Sequence, residues 1–241
     1  MGQKKLQRFA EIATFPNVLQ YPQGMAGKWT DYFNNNHPLI MELACGKGEY
    51  AVGLGRLHPE NNYIGMDLKG NRIWVGAKKA LADGLNNVAF LRSHIDKITD
   101  YFNAGEVSEI WITFPDPQLR VSRAKKRLTH PRFLRLYKQI LQHNGIINLK
   151  TDSPVLIDFT RKVIELYQLE QLEYLEDLAS ISDLKPELQI KTHYEGLDIS
   201  GSNKIYYLRF RISNNPDPGL DEKLHQLLKE EPGIEVKDEE Q

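Results

Sequence analysis

Phe114-Pro115-Asp116-Pro117 places one carboxylate between two prolines. Proline fixes its own φ and biases the preceding residue toward extended backbone, so this aspartate is held rigidly rather than in a loose turn. A run of cations begins within four residues: Arg120, Arg123, Lys125, Lys126 and Arg127. From Pro117 to Thr151 the chain has nine Lys or Arg and no Asp or Glu. Such a stretch alone reads more readily as a solvated helix face. Next to a fixed carboxylate it reads as the footprint of a polyanion, held where chemistry is done.

A second constellation lies upstream. Glu42-Leu43-Ala44-Cys45-Gly46-Lys47-Gly48-Glu49 follows an apolar run, and Asp67 comes 21 positions after Gly46. Glycines at a strand-to-helix turn let backbone approach a ligand closely. An acid at the end of the next strand can accept from ribose hydroxyls. Gly46 to Ala51 literally matches the dinucleotide fingerprint G-x-G-x-x-A. Glu42 argues against a pyrophosphate, which its charge would repel. It suits S-adenosylmethionine, which carries an ammonium and a sulfonium and no phosphate. His94, after the third strand, is a further adenosine contact to expect. Cys45 reads as a small packing residue, because no paired base is evident beside it. Neither a metal-ligand spacing nor a Ser-His-Asp order stands out.

These residues need elements to hold them. Strands are expected at Leu39–Leu43, Asn62–Met66, Val88–Leu91, Glu109–Phe114 and Gly145–Leu149. Helices are expected through Leu57, from about Asn71 to Ala82, from a Thr129 N-cap with Pro131 just inside, and from Ser153 to about Tyr167. The alternation implies right-handed βαβ units and a parallel sheet covered on both faces. Leu169–Leu175 and Ile205–Ile212 are strand-like with no convincing helix between them, which suggests an antiparallel edge pair. The expected fold is α/β: a seven-stranded, mostly parallel sheet resembling the Rossmann-like methyltransferase architecture. In such sheets ligands bind beyond the carboxyl ends of the strands, where strand order reverses. Residues 1–36 read as an N-terminal arm, 37–213 as the methyltransferase domain and 214–241 as an acidic tail with one amphipathic helix (Leu220, Leu224, Leu227, Leu228).

Glu42-x-x-x-Gly46-Lys47-Gly48, Asn62-Tyr63-Ile64-Gly65-Met66-Asp67, Phe114-Pro115-Asp116-Pro117 with its basic run, Lys150-Thr151-Asp152 and Thr192-His193-Tyr194-Glu195 occur in order. The ordered set resembles the bacterial tRNA (guanine-N7-)-methyltransferase family, from Gly27-Lys28-Trp29 to about Ile212. The resemblance implies S-adenosylmethionine as methyl donor and the variable-loop guanine of tRNA as acceptor. It implies that Glu42, Asp67 and Asp116 contact the cofactor and that Asp116 is catalytic. It further implies that Asp152 and Thr192, His193, Tyr194 and Glu195 meet the tRNA substrate, and that Ser122–Arg127 touches RNA. The chain departs from the family at Ala44, where a glycine is usual, and at Gln118, where a tryptophan is usual. Tyr194 is then the candidate for stacking on the guanine.

Composition sets the outer bounds. The 241 residues are 41% hydrophobic and 26% charged, an ordinary globular mix. No apolar run is long enough to span a membrane, the N-terminus lacks an apolar leader, and one cysteine makes no internal disulfide; a reducing cytoplasm is the expected home. The net charge of −1 hides an asymmetry: Asp217–Gln241 holds nine acids against three bases, which leaves the first 216 residues at +5. Lys4, Lys5 and Arg8 are expected to add phosphate contacts. Two rivals remain at this level: a nicotinamide-dependent oxidoreductase and a non-catalytic RNA-binding module.

Overall fold

The computed structural model describes residues 2–195, 197 and 201–230, with side chains from residue 6 onward. The expected contacts from Lys4 and Lys5, and the tail after Glu230, lie outside the described side chains. The chain runs α1 (Gly2–Ile12), β1 (Val18–Gln20), α2 (Trp29–Phe33), β2 (Leu39–Leu43), α3 (Glu49–Leu57), β3 (Asn62–Asp67), α4 (Gly70–Ala82) and β4 (Val88–Arg92). It continues through β5 (Val107–Thr113), α5 (Pro131–Ile140), β6 (Leu141–Thr151), α6 (Pro154–Leu166), β7 (Glu170–Leu175), α7 (Pro186–Gln189), β8 (Tyr206–Arg211) and α8 (Asp221–Lys229).

One eight-stranded sheet has the order β1-β4-β3-β2-β5-β6-β8-β7. The strands from β1 to β6 pair in parallel, whereas β8 lies antiparallel between β6 and β7. The sheet therefore has one strand more than the sequence reading expects. The addition is β1, whose Val18 sits opposite Phe90 of β4. A three-residue edge strand carries no readable alternation, which is why Val18-Leu19-Gln20 gives no strand signal.

Alternation along the strands feeds two cores. Leu39, Met41 and Leu43 of β2 join Ile64, Met66, Ile110 and Ile112 beneath α5 and α6. Ile40, Tyr63, Phe90 and Trp111 face the other way, against Tyr50 and Leu54 of α3 and Ile73 and Ala77 of α4. Both faces are thus buried, as a parallel sheet requires. Residues of the expected arm belong to this body: Ile12 is 0% exposed, and Trp29 stacks on Phe102 at 5.3 Å.

The N-cap of α5 is His130, not Thr129. The His130 ring nitrogen Nδ1 accepts from the Arg132 amide at 3.1 Å. Thr129 is instead fully buried, with its hydroxyl 2.8 Å from that of Thr160. Burial lowers the His130 pKa to about 4, which keeps the ring neutral and able to accept.

Candidate active site

Strand order reverses at β2. The chain moves outward through β3 and β4, then returns to lay β5 on the other side of β2. The carboxyl ends of β2 and β5 therefore flank the crevice that open α/β sheets use for ligands. Glu42 and Asp116 come from these two ends, and both line one cavity of about 630 Å³. That is a usual size for a small-molecule site.

Glu42 is 3% exposed. Its Oε2 accepts from the Ala51 amide at 2.8 Å, and its Oε1 accepts from the Thr113 hydroxyl at 2.9 Å. Burial raises its pKa from the ordinary 4.5 to about 8; the two hydrogen bonds oppose this, while Glu49 and Asp67 add repulsion. Such a carboxyl is a latent anion, because a cation brought beside it favours ionisation. Thr113, which orients it, was not singled out in the sequence; a β-branched residue at a strand end gives no signal of its own.

The turn after β2 is left-handed at three residues: Ala44 has φ 54°, Gly46 has φ 55° and Gly48 has φ 69°. A side chain at Gly48 would come within 2.4 Å of the Phe90 ring, so that position needs glycine twice over. Ala44 holds the strained conformation without that freedom, at a cost of about 1–2 kcal/mol. Asp67 secures the turn, since its Oδ2 accepts from the Gly46 amide at 2.9 Å and its Oδ1 from the Lys69 amide at 2.8 Å. A carboxylate has about four lone-pair sites, so room remains for ribose hydroxyls.

The second wall is the segment after β5. Asp116 is exposed into the cavity, and its Oδ1 accepts from the Gln118 amide at 3.0 Å. Arg127 anchors this loop from behind. It is 1% exposed, and its guanidinium donates to the carbonyls of Pro117, Gln118 and Leu119 at 3.0–3.4 Å while lying 4.5 Å from the Phe159 ring centroid. Burial lowers its pKa to about 10, so it stays charged near neutral pH. This corrects the sequence reading, in which Arg127 is one of the RNA-contacting bases. Its guanidinium is spent on the backbone of the loop that carries Asp116. Arg120, Arg123, Lys125 and Lys126 remain exposed, on or beside the short 3₁₀ helix Val121–Lys126.

The third wall comes from Asp152, after β6, and from Thr192 and Tyr194, which the long connection from β7 to β8 brings back. The Tyr194 ring packs over the glycine turn: a Cβ on Gly46 would stand 3.9 Å from it. The Arg72 guanidinium lies 5.8 Å from its centroid. Arg72 and Lys69 of the β3–α4 corner line the cavity too, although neither stood out in the sequence. Phe114, at φ 45°, supplies the cavity with a second aromatic ring beside Tyr194.

Several expected residues stand away from this lining. Gly48 faces a second groove, which shares Glu49 with the cavity. His94 is exposed and precedes the short 3₁₀ helix Ile95–Asp100. His193 is exposed with its ring against Tyr194. Glu195 reaches Lys150 through Oε2 at 3.0 Å. Arg8 lies over the Trp74 ring at 4.6 Å.

Solved structures share this fold. The 16S rRNA methyltransferase KamB matches with a TM-score of 0.59 at 14% identity, over 82% of this chain and 99% of that one. A 16S rRNA (adenine(1408)-N(1))-methyltransferase variant from Catenulisporales acidiphilia, solved with its cosubstrate S-adenosylmethionine, matches with a TM-score of 0.53 at 14% identity, over 79% of this chain and 92% of that one. The fold is that of a Rossmann-like methyltransferase. A family model described as putative methyltransferase matches residues 36–208. The tRNA (guanine-N(7)-)-methyltransferase of Bacteroides thetaiotaomicron is 45% identical over 221 residues, covering 88% of this chain and 87% of the relative. That of Christiangramia forsetii is 44% identical over 223 residues, covering 88% of this chain and all of the relative. The chain belongs to the tRNA (guanine-N(7)-)-methyltransferase family, and it is an enzyme of the methyltransferase class.

Proposed function

We propose that this enzyme transfers a methyl group from S-adenosylmethionine to N7 of a guanine in the variable loop of tRNA. The observation that carries the reading is the meeting of Glu42 and Asp116 in one cavity, next to an exposed cationic segment. The donor set fits the methyl donor. The cavity wall includes Glu42, Asp67, Asp116 and Asp152, carboxyl groups suited to the ammonium, the ribose hydroxyls and the sulfonium of the donor, with Lys69 and Arg72 at one corner. This acidic set is also more than a non-catalytic RNA-binding module needs.

When bound, S-adenosylmethionine supplies an electrophilic methyl group on a sulfonium. Glu42 holds the ammonium end, and the Ala44–Gly46 backbone lets the chain of the donor lie close. Asp67 accepts from ribose hydroxyls with the lone pairs that Gly46 and Lys69 leave over. Guanine N7 has an in-plane lone pair and no proton to lose, so no general base is required before attack. The protein's task is to align N7, methyl carbon and sulfur, which is catalysis by orientation. Positive charge passes from sulfur to the purine during transfer. Asp116, fixed by its prolines and by the Gln118 amide, stabilises that charge where it develops. Asp152 accepts from the base edge, and Tyr194 or Phe114 offers a face for stacking. Arg120, Arg123, Lys125 and Lys126 meet phosphates, which position the RNA without reading its sequence. A tRNA enzyme of this kind works in the cytoplasm. No helix among the described residues is long and apolar enough to cross a membrane.

The test is a single-turnover reaction with methyl-labelled S-adenosylmethionine and unmodified tRNA, followed by nuclease digestion and mass analysis. Label in 7-methylguanosine from the variable loop is the expected product. Label on another base, or none, overturns the reading.

A further inference from the structure

Lys150 is the anomaly of the structure. A lysine is almost never fully buried without a reason, and this one is 0% exposed. It stands near the end of β6, opposite Thr113 of β5. Its own carbonyl accepts from the Phe114 amide at 2.8 Å, so it is tied to the strand that presents Asp116. Its Nζ spends three hydrogen bonds on a single distant segment: Leu188 O at 2.9 Å, Ile190 O at 3.0 Å and Glu195 Oε2 at 3.0 Å. An ammonium has three donors, so none is left for a ligand. The rings of Tyr50 and Phe114 flank it, with centroids 5.3 and 5.9 Å from Nζ. Leu188 is in α7, a single turn whose last carbonyls have no partner within the helix.

A buried ion pair is weak support for stability, since apolar replacements often serve as well or better. What the arrangement supplies is position. The segment it grips is the one that returns Thr192 and Tyr194 to the cavity.

We propose that Lys150 is a positioning residue: it fastens residues 188–195 to the end of β6, so that Thr192 and Tyr194 form the wall against which the acceptor guanine rests. The proposal builds on the methyl-transfer reading given above. Lys150 does not touch the reacting atoms. It sets where the acceptor wall stands relative to Asp116, and it spends the Glu195 carboxylate on that task.

The experiment uses the full chain with Lys150→Met, which keeps the stem and removes the ammonium, and with Glu195→Gln, which removes the ion pair from a partly exposed position. Two readouts are taken. Hydrogen–deuterium exchange in the free proteins should quicken at least tenfold across 188–195 in Lys150→Met, and by less in Glu195→Gln, with β5 amides unchanged. In steady-state methylation, Lys150→Met should lose at least tenfold in kcat/KM for tRNA while its Kd for S-adenosylhomocysteine stays within about twofold. Parental exchange in 188–195 together with a parental kcat/KM overturns the proposal, as does loosening spread evenly over the sheet. If Lys150→Met does not fold, unchanged exchange around Glu195 in Glu195→Gln overturns it instead. The exchange readout needs no activity. A parent that failed to methylate tRNA would therefore sink the functional reading while leaving the clamp to be judged on its own.

Discussion

The elevated pKa of Glu42 ties cofactor binding to pH in a definite direction. In the free protein the carboxyl titrates at about 8, and the groups that shift it are the buried surroundings, the Ala51 amide, the Thr113 hydroxyl, Glu49 and Asp67. At pH 7 it is then ~90% protonated, and at pH 6 ~99%. A ligand ammonium placed against it favours the ionised form, so binding below pH 8 releases a proton that approaches ~0.9 per site at pH 7. Affinity should therefore rise with pH, by up to tenfold per unit between pH 6 and pH 7, because one pKa unit is 1.36 kcal/mol. The ligand ammonium itself does not titrate in that interval. Glu42→Gln imitates the protonated carboxyl, so its affinity should be flat with pH and should mark the floor on which the parent curve rests. The assay is titration calorimetry with S-adenosylhomocysteine from pH 6 to pH 8, in buffers of differing ionisation enthalpy that count the protons. A flat parental curve, or no proton release at pH 7, would remove Glu42 from the cation-binding role and leave it a buried strand end.

Asp116→Ala should leave the fold intact and lower the single-turnover methylation rate by ~10²–10³, since it removes one preorganised charge; a rate within a few-fold of the parent would dismiss it as catalytic. Replacing Arg123, Lys125 and Lys126 with Ala should weaken tRNA binding, measured by anisotropy across a salt series, and make the log–log salt slope shallower by ~0.7–0.9 for each phosphate that is no longer neutralised; an unchanged slope would mean the RNA docks elsewhere. Arg127→Met should behave differently from that triple variant. It leaves carbonyls of the loop that carries Asp116 without partners, at about 1–3 kcal/mol each, so thermal melting should shift down and kcat fall while the salt slope stays parental. The neutral His130 cap makes the folded state bind fewer protons than the unfolded chain between pH 4 and 6.5, so this contribution fades as pH falls through that window; His130→Asn, followed by urea unfolding at several pH values, should flatten that part of the profile.

The readable part of this molecule was the part where local chemistry and fold agree. The central strands announced themselves because both sheet faces are covered, so Leu39–Leu43 and Asn62–Met66 are near-continuous apolar runs ended by acids at the crevice. Asp116 was legible because two prolines leave its backbone few choices. Exposure was not legible. Arg127 carries the same charge as Lys125 and Lys126, yet it is 1% exposed, because 3₁₀ geometry ends at Lys126 and turns the next side chain inward under the loop. Lys150 was hidden for the same reason: its three acceptors lie 38–45 residues away in sequence. Short elements held by packing, such as β1 and α7, carry too few residues for periodicity to register.

Charge is sorted by depth, and the sorting explains how one small site can serve two oppositely charged partners. The acids that line the cavity are inside or at the mouth of the crevice, where water is scarce and each interaction is strong. Arg123, Lys125 and Lys126 stand outside the cavity and are exposed. A polyanion is attracted to the basic rim, whereas the carboxylates of the cavity suit the cationic centres of the donor and a neutral base. Among the described residues Arg127 and Lys150 are the long bases that are fully buried, and both are spent on protein acceptors. Arg127 holds the backbone behind Asp116, and Lys150 holds the segment behind Tyr194. Arg127 and Lys150 thus buttress the walls from behind, while the carboxylates line the cavity in front together with Lys69 and Arg72 of the β3–α4 corner. Such an interior favours the ligand that enters positive, and it steadies the purine that becomes positive when the methyl group arrives.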